Sequence, residues 1–184
     1  MADLPSGNAV IGQSGGPTAV INQSLIGVVE GLRDAPEVDR ILGAIHAVEG
    51  IVGERFVELQ DLDQAELNRV AGTPSAALGS SRDKPDAEYC HRIVEAFKKH
   101  NVRYFFYAGG NDSSDTCRII NEQAAEMDWD VRSFHVPKTI DNDLVANDHT
   151  PGYGSAARFV ASAFRGDNLD NKALPGIKIN VVMG

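Results

Sequence analysis

The chain has 184 residues, enough for one ordinary domain or slightly more; 42% are hydrophobic, 23% are charged and no tract is of low complexity. Lys and Arg number 17 against 26 Asp and Glu, a net charge of −9, which argues against a nucleic-acid or anionic-membrane surface but leaves room for a local phosphate pocket. No apolar run approaches the roughly 20 residues of a membrane span. Cys90 and Cys117 are far apart and show no metal-ligand spacing, so with no signal peptide in view reduced thiols and a cytoplasmic location are expected.

Residues 8–11 read as a buried strand and 18–32 as a helix, with Val20, Ile21, Leu25, Ile26, Val28 and Val29 as its apolar face. A second strand covers 40–47. The stretch 48–82 reads as irregular, punctuated by Gly50, Gly53, Gly72, Pro74 and Gly79. A helix over 86–100 gathers Tyr89, Ile93, Val94 and Phe97 on one side, and ends on Lys98, Lys99 and His100, which suit the helix dipole. A strand over 102–108, a helix over 114–127 and a strand over 131–136 follow. This alternation predicts an α/β fold: a three-layer, open, mostly parallel sheet with helices on both faces. After Pro151 the pattern changes. Gly152-Tyr153-Gly154 leads into a helix over 155–170, and a last strand covers 177–182. The expected organisation is therefore an N-terminal domain over 1–151 and, over 152–184, the truncated opening of a second α/β domain.

Sheets of this kind bind ligands at the carboxyl ends of their strands, and three polar loops fall there. Gly12-Gln13-Ser14-Gly15-Gly16-Pro17-Thr18 has the composition of a phosphate cradle, because glycines let backbone N–H groups approach an anion at a helix start. It is not a P-loop, since no Lys-Ser/Thr follows the glycines; a tight strand-to-helix turn explains it equally well. Gly109-Gly110-Asn111-Asp112-Ser113 again puts glycines before a helix; here Asp112 or Ser113 can be an N-cap. Pro137-Lys138-Thr139-Ile140-Asp141-Asn142-Asp143 carries two carboxylates and a lysine. One carboxylate can accept a proton from a sugar hydroxyl, and Lys138 offers a compact positive charge to a phosphate oxygen. The alternative is a solvated turn. Gly79-Ser80-Ser81-Arg82 is anion-friendly, and by itself reads as ordinary surface. The five histidines show no ligand spacing.

Taken in order, Ser14-Gly15-Gly16-Pro17 with Asn22, Leu78 to Arg82, Gly109 to Ser113, Pro137 to Asp143, Thr150-Pro151-Gly152-Tyr153-Gly154-Ser155-Ala156 and Val182-Met183-Gly184 resemble the phosphofructokinase family, most of all its pyrophosphate-dependent branch. The resemblance covers nearly the whole chain. It implies reversible phosphoryl transfer from pyrophosphate to the 1-hydroxyl of fructose 6-phosphate, in glycolysis or gluconeogenesis, with Mg²⁺ as cofactor, in a homo-oligomer. Asp141 matches the proton acceptor, and Thr139 a residue at the substrate and the transferred group. Gly15, Gly16, Arg82, Gly110 and Ser113 fall on donor-binding motifs; Ile140, Met183 and Gly184 fall on the sugar-binding ones. Asp112 and Lys138 stand where the ATP-using branch usually has glycine, so the resemblance implies pyrophosphate over ATP. At about 5 Å and an effective dielectric of about 20, like unit charges repel by roughly 3 kcal/mol, on the order of a hundredfold. Asn111 stands where the family commonly has a magnesium-associated aspartate; Asn111 and Asp143 are the two metal-site candidates. The rival expectations are an ATP-dependent enzyme and a non-catalytic phosphate-binding homologue. A 184-residue piece without the sugar-binding half is expected to be inactive alone.

Overall fold

The computed structural model describes residues 4–182. The chain divides into two compact units, the first running to Lys138 and the second from Thr139.

The first unit is built on a five-stranded sheet of order β3-β2-β1-β4-β5. Its strands are β1 (Gly7–Gln13), β2 (Val38–Ala44), β3 (Phe56–Glu58), β4 (Val102–Gly109) and β5 (Arg132–Pro137). β1 runs parallel to β2 and β4, and β4 parallel to β5; only edge strand β3 is antiparallel. Five helices cover the sheet: α1 (Ile21–Leu32), α2 (Ala47–Val52), α3 (Gln64–Gly72), α4 (Ala87–Lys99) and α5 (Asn111–Glu126).

The period of two along each strand assigns the faces. Val10, Leu42, Phe105 and Tyr107 join a core with Ile51 of α2, Ile93 and Phe97 of α4, and Cys117 and Ile120 of α5. Their neighbours Ile11 and Ile41, with Phe106 packed alongside, form the opposite core with Leu25 and Val29 of α1 and Leu67 of α3. Each fully buried side chain of this size contributes about 1.5–3 kcal/mol relative to exposure, so both faces of the sheet are tied to their helices. The three-layer expectation holds.

The stretch 48–82 differs from its irregular reading, since it contains α2, β3 and α3. A capping box opens α3: the Asp63 carboxylate accepts from Glu66 N–H at 2.8 Å, and Glu66 accepts from Asp63 N–H at 3.0 Å. The D-x-x-E signature was present but hidden among glycines. β3 has a different cause, because three residues form a strand only against a partner, here Leu42 to Ala44 of β2. At the other boundaries, α1 starts at Ile21 and α5 at Asn111. Thr18 is held outside α1 by donating its hydroxyl to Lys138 O at 2.6 Å.

Register brings the strand ends together. Gln13 lies opposite Ala108, and Gly109 opposite Pro137. The loops after β1, β4 and β5 therefore leave one edge of the sheet.

The second unit contains α6 (Tyr153–Ala173), preceded by a loop over 139–150. Gly152 at its N-cap has φ +81°, a conformation that favours glycine. Residues 177–182 are not a strand as expected: no ladder partner pairs with them among the described residues, and an unpaired extended segment lacks the hydrogen bonds that define a sheet. Lys178 instead pairs with Asp167 of α6 at 2.6 Å. Met183 and Gly184 lie outside the described residues.

Candidate active site

A buried polar knot sets the geometry of the edge. Gln13 is fully buried, and its Nε2 donates to Ile21 O at 3.1 Å and Asn22 Oδ1 at 2.9 Å. Gln13 Oε1 accepts from Leu78 N–H at 2.9 Å. Asn22 Oδ1 accepts from Ala77 N–H at 2.9 Å, while its Nδ2 donates to Thr73 O at 2.8 Å. Every polar atom of these two amides is thereby paired. The knot clamps the segment 73–78 onto the start of α1 and delivers the next loop, Gly79 to Arg82, to the edge.

That loop is stitched to the first glycine loop. Ser14 and Ser81 form a parallel bridge; Gly15 N–H donates to Ser81 O at 2.8 Å, and Ser80 Oγ donates to Gly15 O at 2.6 Å. The third loop joins them through Lys138, whose N–H donates to Gly109 O at 3.2 Å and whose Nζ donates to Gly16 O at 2.6 Å. Gly15 has φ +73°, and a Cβ there would lie 3.1 Å from Lys138 Nζ; a Cβ at Gly16 would lie 3.4 Å from an Arg82 guanidinium nitrogen. Two cationic side chains thus converge on a Gly-Gly backbone at the sheet edge, which is the chemistry of an anion cradle. At Gly109 the approach is tighter, since a Cβ would meet Ser113 Oγ at 1.9 Å and Ser14 Cβ at 3.2 Å. Only glycine lets the first turn of α5 pack against the β1 loop.

Gly110 is the N-cap of α5, with no side-chain cap, so neither Asp112 nor Ser113 caps the helix. Both lie within its first turn. Ser113 is buried. Asp112 instead forms an ion pair with Lys84 at 2.7 Å. Lys84 follows a pinned turn. Ser81 Oγ donates to Glu49 at 2.8 Å and accepts from Asp83 N–H at 3.0 Å, and the Asp83 carboxylate accepts from Tyr89 OH at 2.9 Å. Burial, with that hydrogen bond second, raises the Tyr89 pKa, so the phenol stays a donor at neutral pH.

The structure therefore brings Gly15, Gly16, Arg82, Lys138, Gly110, Asp112 and Ser113 to one edge. Lys84, Gln13 and Glu49 were not singled out from sequence. Lys84 had a signal, as a cation two residues after Arg82, but its partner is 28 positions away in sequence and only folding pairs them. Thr139, Ile140, Asp141 and Asp143 belong to the second unit. There Asp141 N–H donates to Thr139 Oγ1 at 3.2 Å, and Asn142, at φ +57°, accepts from Thr150 N–H at 2.9 Å. Asn142 closes the loop and Thr139 orients the backbone of Asp141.

For a metal, the first unit offers oxygen donors on Asn111 and Asp112. Asn111 Oδ1 already accepts from Asp112 N–H at 3.0 Å, but an amide oxygen has a second lone pair. Among the described residues no group of three or more His, Cys, Asp and Glu forms a cage. This donor set fits Mg²⁺ held by one or two protein oxygens with the remaining ligands from phosphate and water.

The phosphofructokinase family model matches residues 8–184. A pyrophosphate–fructose 6-phosphate 1-phosphotransferase of Rhodospirillum rubrum is 58% identical over 178 residues, covering 97% of this chain and 44% of that protein. The enzyme of the same name from Halomonas elongata is 40% identical, over 89% of this chain and 40% of that protein. The crystal structure of a pyrophosphate-dependent phosphofructokinase from Marinobacter aquaeolei superposes with a TM-score of 0.79 at 35% identity, covering 91% of this chain and 42% of the other. The chain thus spans less than half the length of these relatives. With the model matched from the first strand onward and the glycine loops, Arg82 and Lys138 gathered at one sheet edge, the chain belongs to the phosphofructokinase family.

Proposed function

We propose that this chain is the phosphoryl-donor half of a pyrophosphate-dependent phosphofructokinase, with fructose 6-phosphate as acceptor and fructose 1,6-bisphosphate and phosphate as products. The observation that carries the reading is the convergence of Lys138 and Arg82 on Gly15 and Gly16, with Asp112 in the first turn of α5. The names of the R. rubrum and H. elongata relatives support the same donor and acceptor.

In this reading Asp141 takes the proton from the sugar 1-hydroxyl, whose oxygen forms the new bond to phosphorus as the bond to the leaving phosphate breaks. Thr139 orients Asp141 and lies at the transferred group. Lys138, Arg82 and the glycine-loop N–H groups hold the donor and offset charge on the transferred phosphoryl group, where positioning and electrostatics supply most of the catalysis. Gly110 and Ser113 shape the donor site beside α5. When bound, Mg²⁺ would supply charge neutralisation to pyrophosphate; Asn111 is the candidate oxygen donor of the first unit and Asp143 that of the second. Ile140, Met183 and Gly184 belong to the sugar side, and residues 152–184 open the sugar-phosphate domain beyond the donor domain of 1–151. The enzyme works in the cytoplasm as a homo-oligomer.

The test is a coupled assay of the intact enzyme with pyrophosphate or ATP. Pyrophosphate is expected to be preferred, Asp141→Ala to lose at least about a hundredfold in kcat, and Asp112→Gly to shift the donor ratio toward ATP. The 184-residue polypeptide by itself is expected to show no turnover. Wild-type preference for ATP, or an Asp141→Ala variant at full rate, overturns the reading.

A further inference from the structure

A carboxylate that excludes nucleotides creates a difficulty of its own. Asp112 sits in the first turn of α5, where it offsets the positive end of the helix dipole that would otherwise attract an anion. Pyrophosphate is itself a multiply charged anion, so a bare Asp112 repels the wanted donor as well as the unwanted one. Lys84 answers that difficulty. Its Nζ lies 2.7 Å from Asp112 Oδ2, within charge-assisted hydrogen-bond range. Its backbone leaves the turn fixed by the Ser81–Glu49, Asp83–Ser81 and Tyr89–Asp83 hydrogen bonds, and the next residue, Pro85, is buried.

Resting on the pyrophosphate reading above, we infer that Lys84 is a specificity-determining residue: it is the countercharge that lets the Asp112 carboxylate fill nucleotide space without expelling pyrophosphate. The pair joins the loop that carries Arg82 to the helix that follows β4, so it spans two walls of the donor edge. Its side chains are 76% and 63% exposed for Lys84 and Asp112 respectively. At such exposure an ion pair adds little to folding stability. Lys84 variants therefore keep the fold.

The test is a double-mutant cycle in the intact enzyme, with KM for pyrophosphate, KM for fructose 6-phosphate and kcat measured separately. Lys84→Met is expected to raise the KM for pyrophosphate about tenfold while leaving that for fructose 6-phosphate unchanged, and Lys84→Arg to stay within about twofold of wild type. In an Asp112→Asn background, Lys84→Met is expected to change the pyrophosphate KM by less than about twofold, because no carboxylate remains to be offset. Two results overturn the inference alone: an unchanged pyrophosphate KM in Lys84→Met, or an equal rise with and without the Asp112 carboxylate, which would make Lys84 an independent donor contact. A wild-type enzyme that does not use pyrophosphate at all overturns both this inference and the function on which it rests.

Discussion

At the scale of single residues, the site depends on positions where a side chain would be one atom too many. Gly15 combines φ +73° with a would-be Cβ 3.1 Å from Lys138 Nζ. Gly15→Ala is therefore expected to cost about 1 kcal/mol of stability from the left-handed backbone and to push Lys138 off Gly16 O. The checks are the denaturant midpoint and the pyrophosphate KM, which should rise; a variant unchanged in both would refute the role given to this glycine. Gly15, Lys138 and Asp112 were all legible as chemistry in the sequence. Their partners were not. Asp112 pairs with Lys84, and Lys138 reaches the Gly16 carbonyl. Residue type announces charge, but the partner of a charge is set by which loops the sheet register brings to one edge.

At the scale of elements, the strands and long helices were readable because each carries its own periodicity. α4 also carries its own cap, with Asp86 accepting from Tyr89 N–H at 2.9 Å. The connection between β2 and α4 was less readable. β3 exists only through pairing with β2, and the segment 73–78 has no regular structure of its own; Gln13 and Asn22 hold it from a distance of more than 50 residues. Asn22→Ala removes the partners of Thr73 O, Ala77 N–H and one donor of buried Gln13. The expected loss is about 1–3 kcal/mol, seen as a lower Tm, together with weaker pyrophosphate binding as Arg82 loses its fixed loop. Unaltered thermal unfolding would show that water replaces the amide at no cost.

At the scale of the whole molecule, the doubly covered sheet imposes a pH signature. Burial, the largest cause, pushes the Cys90 and Cys117 thiols from 9.0 up to about 12. Between those values the unfolded chain has released protons that the folded chain retains. Stability should thus be complete below about pH 9 and fall as pH rises toward 12. Denaturant titrations at stepped alkaline pH read this directly, and at neutral pH both thiols should resist alkylation until the protein unfolds; rapid labelling of the native chain would contradict the buried placement. By itself the sequence determined the α/β class, the strand-end location of the glycine loops and the candidate residues for phosphoryl transfer. The first two follow from periodicity and local composition, which act over a few residues, and the third from the resemblance to the phosphofructokinase family. Only the tertiary structure decided that Lys84 holds Asp112, that Gln13 and Asn22 carry the Arg82 loop, and that residues 177–182 form no strand among the described residues. Each depends on partners far apart in the chain, and hydrogen bonds and ion pairs form only between groups that the packed sheet has already brought within about 3 Å.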